Sequence, residues 1–70
     1  MIGRLYYDNN PKRSNLEKAK LALQLYIAKT GEPPSKILVN ENMKDVVLDG
    51  IKTEVTSYIR PNYMLIGDEE

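Results

Sequence analysis

Seventy residues allow one domain, near the lower limit of what folds without covalent or metal staples. The chain has no cysteine and no histidine, which excludes a disulfide framework, a thiolate metal site, the commonest metal ligand and the usual neutral-pH proton shuttle. Ten basic residues balance ten acidic ones, and a neutral sum argues against a polyanion as the main partner.

In chain order, residues 1–7 (MIGRLYY) are β-prone and predict a first strand, weakened by Gly3. Asp8-Asn9-Asn10-Pro11 is a turn, because Asx side chains compete with the backbone and Pro11 restricts Asn10. Ser14 opens a helix through a capping box: its hydroxyl accepts from the Glu17 amide while the Glu17 carboxylate reaches back to the Ser14 amide. Thr30-Gly31 closes it, glycine taking the left-handed conformation, and Pro33 and Pro34 prevent continuation. The expected helix is therefore 14–30.

Ile37-Leu38-Val39 is a short apolar run, consistent with a strand buried on both faces. Asn40 or Asn42 can cap a two-turn helix carrying Met43, Val46 and Val47 on one face and ending at Gly50. A rival reading takes Asp49-Gly50 as a hairpin signal after Val46-Val47-Leu48. Ile51 to Ile59 alternates, with Ile51, Thr53, Val55, Ser57 and Ile59 on one face. Arg60-Pro61-Asn62 makes a turn with Pro61 at its second position, and Tyr63 to Ile66 returns, so 51–66 predicts a β-hairpin. Residues 67–70 read as a frayed acidic tail. The expected fold is a single α+β domain over 1–70, one long helix packed on a small, mostly antiparallel sheet in the order β-α-β-(short α)-β-β.

The helix is apolar on two sides. At roughly 100° per residue, Leu16, Ala19, Leu23, Tyr26 and Ile27 gather on one stripe, and Leu21, Leu25 and Ala28 on another. Covering both takes more tertiary structure than so short a chain readily supplies. Leu21, Leu25 and Ala28 are therefore the candidate protein-interface residues, and a homo-oligomer or a subunit of a larger assembly is the expected state. The competing structural reading is that the first strand or the hairpin covers Leu21 and Leu25 within one chain.

Charge is segregated along the chain. Residues up to Lys36 hold seven Lys/Arg against three Asp/Glu, and the remainder holds three against seven. Such segregation favours head-to-tail or antiparallel self-docking, against the simpler reading of two solvated faces. The alternative partner is nucleic acid, through Arg4, Lys12, Arg13, Lys18 and Lys20 with Tyr6 and Tyr7 interleaved. Against it, Lys18 and Lys20 project about 160° apart on the helix. Tyr6 and Tyr7 also point to opposite faces of a strand.

Catalysis has little to stand on. Ser35-Lys36 is the start of a strand rather than a dyad, Asp45 and Asp49 fit the polar side of a short helix, and no motif unites a nucleophile with a base. Asp8-Asn9-Asn10 starts like a calcium loop, but Pro11 and the missing glycine and distal Glu end the comparison. No metal and no cofactor is expected, and no apolar run approaches a membrane span. A non-enzymatic cytoplasmic protein is the resulting expectation.

In the C-terminal half, PSKILVNENMKDVV…GIKTEVTSYIRPNYMLIGD resembles a shortened pattern of tailed-phage major capsid proteins. The matching positions are Leu38-Val39-Asn40 ending a strand, Gly50-Ile51 leading the next, Pro61, and Leu65-Ile66-Gly67-Asp68 closing the return. The resemblance spans about half the chain. It implies a phage- or mobile-element-type protein and brings no catalytic residues with it.

Overall fold

The computed structural model describes residues 2–68, apart from the side chain of Ile2; the expectations for Met1, Glu69 and Glu70 fall outside the described residues. Five regular elements follow the expected order: β1 (Ile2–Tyr7), α1 (Asn15–Thr30), β2 (Lys36–Val39), β3 (Lys52–Val55) and β4 (Tyr63–Asp68). They form an α+β domain with one helix on a four-stranded sheet of order β1-β4-β2-β3. Strand β4 runs antiparallel to both β1 and β2, and β3 lies parallel on the far side of β2. The sheet is therefore mostly antiparallel, and β1-α1-β2 is a crossover split by the last strand.

The C-terminal strand–turn–strand succession is present, but its two strands do not lie side by side, because β2 separates β3 from β4. Strand β3 is held on β2 at both ends, where the Lys52 amide donates to the Ser35 carbonyl (3.1 Å) and the Thr56 amide to the Val39 carbonyl (2.9 Å). Parallel neighbours need a crossover of about a dozen residues, and residues 40–51 supply it. No full helix forms there. A single 3-10 turn, Glu41–Met43, is capped by Asn40, whose Oδ1 accepts from the Asn42 amide at 3.1 Å. The Asp49-Gly50 signal is used as well: the Ile51 amide donates to the Leu48 carbonyl (3.2 Å), and Gly50 takes φ 76°. Met43, Val46 and Leu48 are buried, and that spacing fits neither a continuous helix nor a continuous strand.

Helix α1 starts and stops where its caps place it. The Glu17 amide donates to Ser14 Oγ at 3.2 Å, and Gly31, at φ 81°, donates its amide to the Ile27 carbonyl at 2.7 Å. The capping box is altered in one respect: the Glu17 carboxylate accepts from the Ser14 hydroxyl (3.3 Å) instead of the Ser14 amide. At the other end of the chain, Gly67 and Asp68 belong to β4 and not to a tail. Asp68 Oδ1 accepts from the Ser35 amide at 3.0 Å, which ties the end of β4 to the start of β2.

The core lies between α1 and one face of the sheet. Ile37 and Val39 of β2 and Met64 and Ile66 of β4 point toward the helix and meet Ala19, Ala22 and Tyr26. Leu38 is only half-buried, so β2 is covered fully on one face rather than two. The helix turns only part of its Leu16–Ile27 stripe inward, with Leu23 packed against the core beside Ala19 and Tyr26. Leu16 and Ile27 are exposed, and only Ala19 and Tyr26 of that stripe are buried. Small alanines permit the closest approach of helix to sheet, so the Ala19–Ala22–Tyr26 line faces down and a leucine-bearing flank is left on either side.

Candidate interaction surface

The flank carrying Leu21, Leu25 and Ala28 overhangs β1. Between them runs an open groove of about 760 Å³, with those three side chains on one wall, the end of β1 at Tyr6 and Tyr7 on the other, and Asp8, Asn10 and Arg13 also lining it. Among the described residues no strand closes over the two leucines: Leu21 keeps 38% of its surface exposed and Leu25 59%. The three interface candidates are thus brought together on one surface.

The polar lining of the groove is built by the β1–α1 loop. The Asn10 amide donates to Asp8 Oδ1 (2.9 Å) and the Lys12 amide to Asn10 Oδ1 (2.9 Å), two successive Asx turns that fix the path into the helix. Arg13 closes the loop by donating to Asp8 Oδ2 at 3.0 Å. The Asn10 amide holds the Asp8 carboxyl below the ordinary value of 3.8; partial burial opposes this, and the Arg13 and Lys18 charges add to it. A carboxyl lowered in the folded state stabilises the fold above its unfolded pKa and loses that contribution as pH falls through the folded value. Wild type is therefore expected to melt above Asp8→Asn at neutral pH. Below pH 3.8 the gap should close, and thermal melts across that range check it; a gap independent of pH would refute a stabilising role for the ionised Asp8 carboxylate.

Lys18 departs most from its sequence reading. It is 7% exposed and donates from Nζ to Asn62 Oδ1 at 3.2 Å. Asn62 follows Pro61 in the turn closed by the Tyr63 amide on the Arg60 carbonyl (3.1 Å), and its φ of 68° is one that asparagine tolerates. Its carbonyl accepts from the Asp8 amide (3.0 Å), so this one residue links the end of β1, the first turns of α1 and the start of β4. Nothing in the local pattern around Lys18 distinguishes it from a solvated lysine. Its partner stands 44 positions further along the chain.

Of the five cations of the nucleic-acid alternative, Arg13 and Lys18 both line the groove beside Asp8 and are engaged by partners within the chain. Arg13 is engaged with Asp8 and Lys18 with Asn62, while Arg4 stands on β1, Lys12 in the loop and Lys20 on the exposed side of α1. The tyrosines part as their alternation requires. Tyr6 packs toward the core, and Tyr7 lies on the open sheet face with its ring 4.6 Å from that of Tyr63.

That open face is a feature the strand patterns carry. Register places Leu5, Leu65 and Leu38 in one row across β1, β4 and β2, beside the Tyr7–Tyr63 pair. Among the described residues no group of three or more acidic side chains could hold a metal ion, and no helix is long and apolar enough to cross a membrane. No protein-family model, no curated protein and no solved structure matches the chain.

Proposed function

We propose that this chain is a non-enzymatic protein–protein interaction module that self-associates, burying the Leu21–Leu25–Ala28 flank of α1. The observation that carries this reading is Leu25, 59% exposed on a helix that also leaves Leu16, Leu21 and Ile27 exposed. Clustered exposed leucines beside a groove are what a soluble small domain gains by covering. The segregation of basic residues before Lys36 from acidic residues after it adds a means of orienting copies against one another. A cytoplasmic setting belongs to the same reading.

Leu25→Glu tests it directly. A carboxylate on the contact surface is expected to return the assembly to single-chain mass by light scattering, with the circular dichroism spectrum unchanged. Loss of helical signal without a soluble monomer would instead make Leu25 part of the fold's own core. A wild-type chain that remains monomeric at high concentration would dispose of the reading altogether.

A further inference from the structure

Resting on the self-association reading, we propose that the second copy is received by strand β1: two β1 strands pair antiparallel about a two-fold axis at Leu5, extending the sheet from one molecule into the next with both helices on the same side.

The two edges of the sheet are unlike. Edge strand β3 has four residues, two of them charged, and its Glu54 is paired with Lys36 at 2.9 Å. Edge strand β1 has six residues, Ile-Gly-Arg-Leu-Tyr-Tyr, with Arg4 its only charge. Short length and charge protect an edge from pairing with another chain, and β1 has little of either.

The backbone fixes which groups are free. The Asp8 amide donates to the Asn62 carbonyl, one step beyond the Tyr7–Tyr63 pair. Hydrogen-bonding direction alternates along an antiparallel ladder, so Arg4 and Tyr6 also address β4. Gly3, Leu5 and Tyr7 then turn their amides and carbonyls outward, and all three residues are exposed. A strand laid along this edge enters the slot beneath the Leu21–Leu25–Ala28 overhang, and its helix-side side chains enter the groove.

Charge and shape choose the register of a second copy. Outward-facing residues must meet outward-facing residues, which allows two-fold axes at Arg4, Leu5 or Tyr6. An axis at Arg4 sets two guanidinium groups directly opposite, and like charges there repel. An axis at Tyr6 runs half of the overlap into the Asp8 turn. An axis at Leu5 overlaps Gly3 through Tyr7 completely. It sets Arg4 of each copy beside Tyr6 of the other, within diagonal reach of the Asp8 carboxylate, and lays each Tyr7 over the other's Gly3. The row of Leu5, Leu65 and Leu38 then continues across the axis.

The test uses the full chain. Proline at position 5 removes an outward amide without taking a hydrogen bond from the β1–β4 ladder, so Leu5→Pro is expected to sediment as a monomer at a concentration where wild type sediments as a dimer. Leu5→Lys, at a side chain 57% exposed, brings two like charges to the axis and decides the matter if the proline variant does not fold. Val55→Lys on the other edge should leave the dimer intact. Dimers that survive both Leu5 changes while Leu25→Glu dissociates them would overturn strand pairing and leave self-association standing. A monomeric wild type removes both. For the register, the cysteine-free chain allows a clean cross-link. Directly opposed residues in a hydrogen-bonded pair lie about 5.5 Å apart, within disulfide range. Leu5→Cys should cross-link under mild oxidation and Tyr7→Cys should not; the reverse pattern overturns the axis at Leu5.

Discussion

Ile37→Ala is expected to cost about 2–5 kcal/mol and to lower Tm by on the order of 10–30 °C. Ile37 lies on β2, one of the two inner strands, fully buried beneath the helix and paired in register with Ile66 on one side and Thr53 on the other. Removing three carbons there leaves a void that the inner strand cannot close, since moving β2 breaks ladders on both of its edges. A domain of this size holds ~5 kcal/mol in all, at the bottom of the usual range, so the variant sits near its unfolding transition at room temperature. Urea titration followed by circular dichroism measures the loss. Val47→Ala, at the most exposed large aliphatic position of the 40–51 crossover, should stay within ~0.5 kcal/mol of wild type. Equal effects of the two changes would mean that the core does not lie where Ile37, Met64 and Ile66 place it.

How the sequence specifies this fold differs from element to element. Helix α1 was legible to within a residue because its signals are local: Ser14 and Gly31 act on backbone groups within one turn of themselves. Strands β2 and β4 were legible through apolar residues of the right type in short runs. Partner choice was not. The spacing of residues 51–66 suits a hairpin, yet pairing is decided by which neighbour buries more. Placing β4 between β1 and β2 lets Met64 and Ile66 sit under the helix, whereas β3 carries Lys52 and Glu54 and suits an edge. The same non-locality hid Lys18. Its burial depends on Asn62, which is reachable only once β4 lies beside β1.

The candidate surface was half legible. Helical periodicity brings Leu21, Leu25 and Ala28 into line, and in this fold, with Ala19, Ala22 and Tyr26 packed inward, Leu21 and Leu25 stay exposed. The opposite wall of the groove was not legible, because it follows from β1 occupying the edge next to β4. With β1 there, the leucine flank, the exposed backbone of Gly3, Leu5 and Tyr7, and the Asp8–Arg13 loop adjoin one another. Three features of ordinary character in the sequence thereby become one surface.

Gly3→Ala is expected to be as damaging as a core truncation, although it adds one methyl at the surface. A β-carbon at position 3 would stand 2.5 Å from the Ile66 carbonyl oxygen and 3.0 Å from its carbonyl carbon, both backbone atoms of an inner strand. No side-chain rotation relieves that contact, so β1 must move away from β4. The Gly3–Gly67 pairing is thus a close approach of two backbones, which explains a glycine that β-propensity alone counts as a weakness. Overpacking of this kind costs about 1–3 kcal/mol where neighbours can yield; here the neighbour is a strand paired on both sides, so the upper part of that range is expected. Gly31→Ala is the contrasting variant. Nothing lies within 4 Å of its β-carbon, and its cost is the left-handed φ of 81° alone, about 1–2 kcal/mol. Hydrogen exchange separates the two mechanisms. Gly3→Ala should lose protection first at the Arg4 and Tyr6 amides that address β4, while β2 amides stay protected. Gly31→Ala should loosen the last turn of α1 and leave the sheet untouched. Retained protection at Arg4 and Tyr6 in Gly3→Ala would show that β1 and β4 are not as close as 2.5 Å implies.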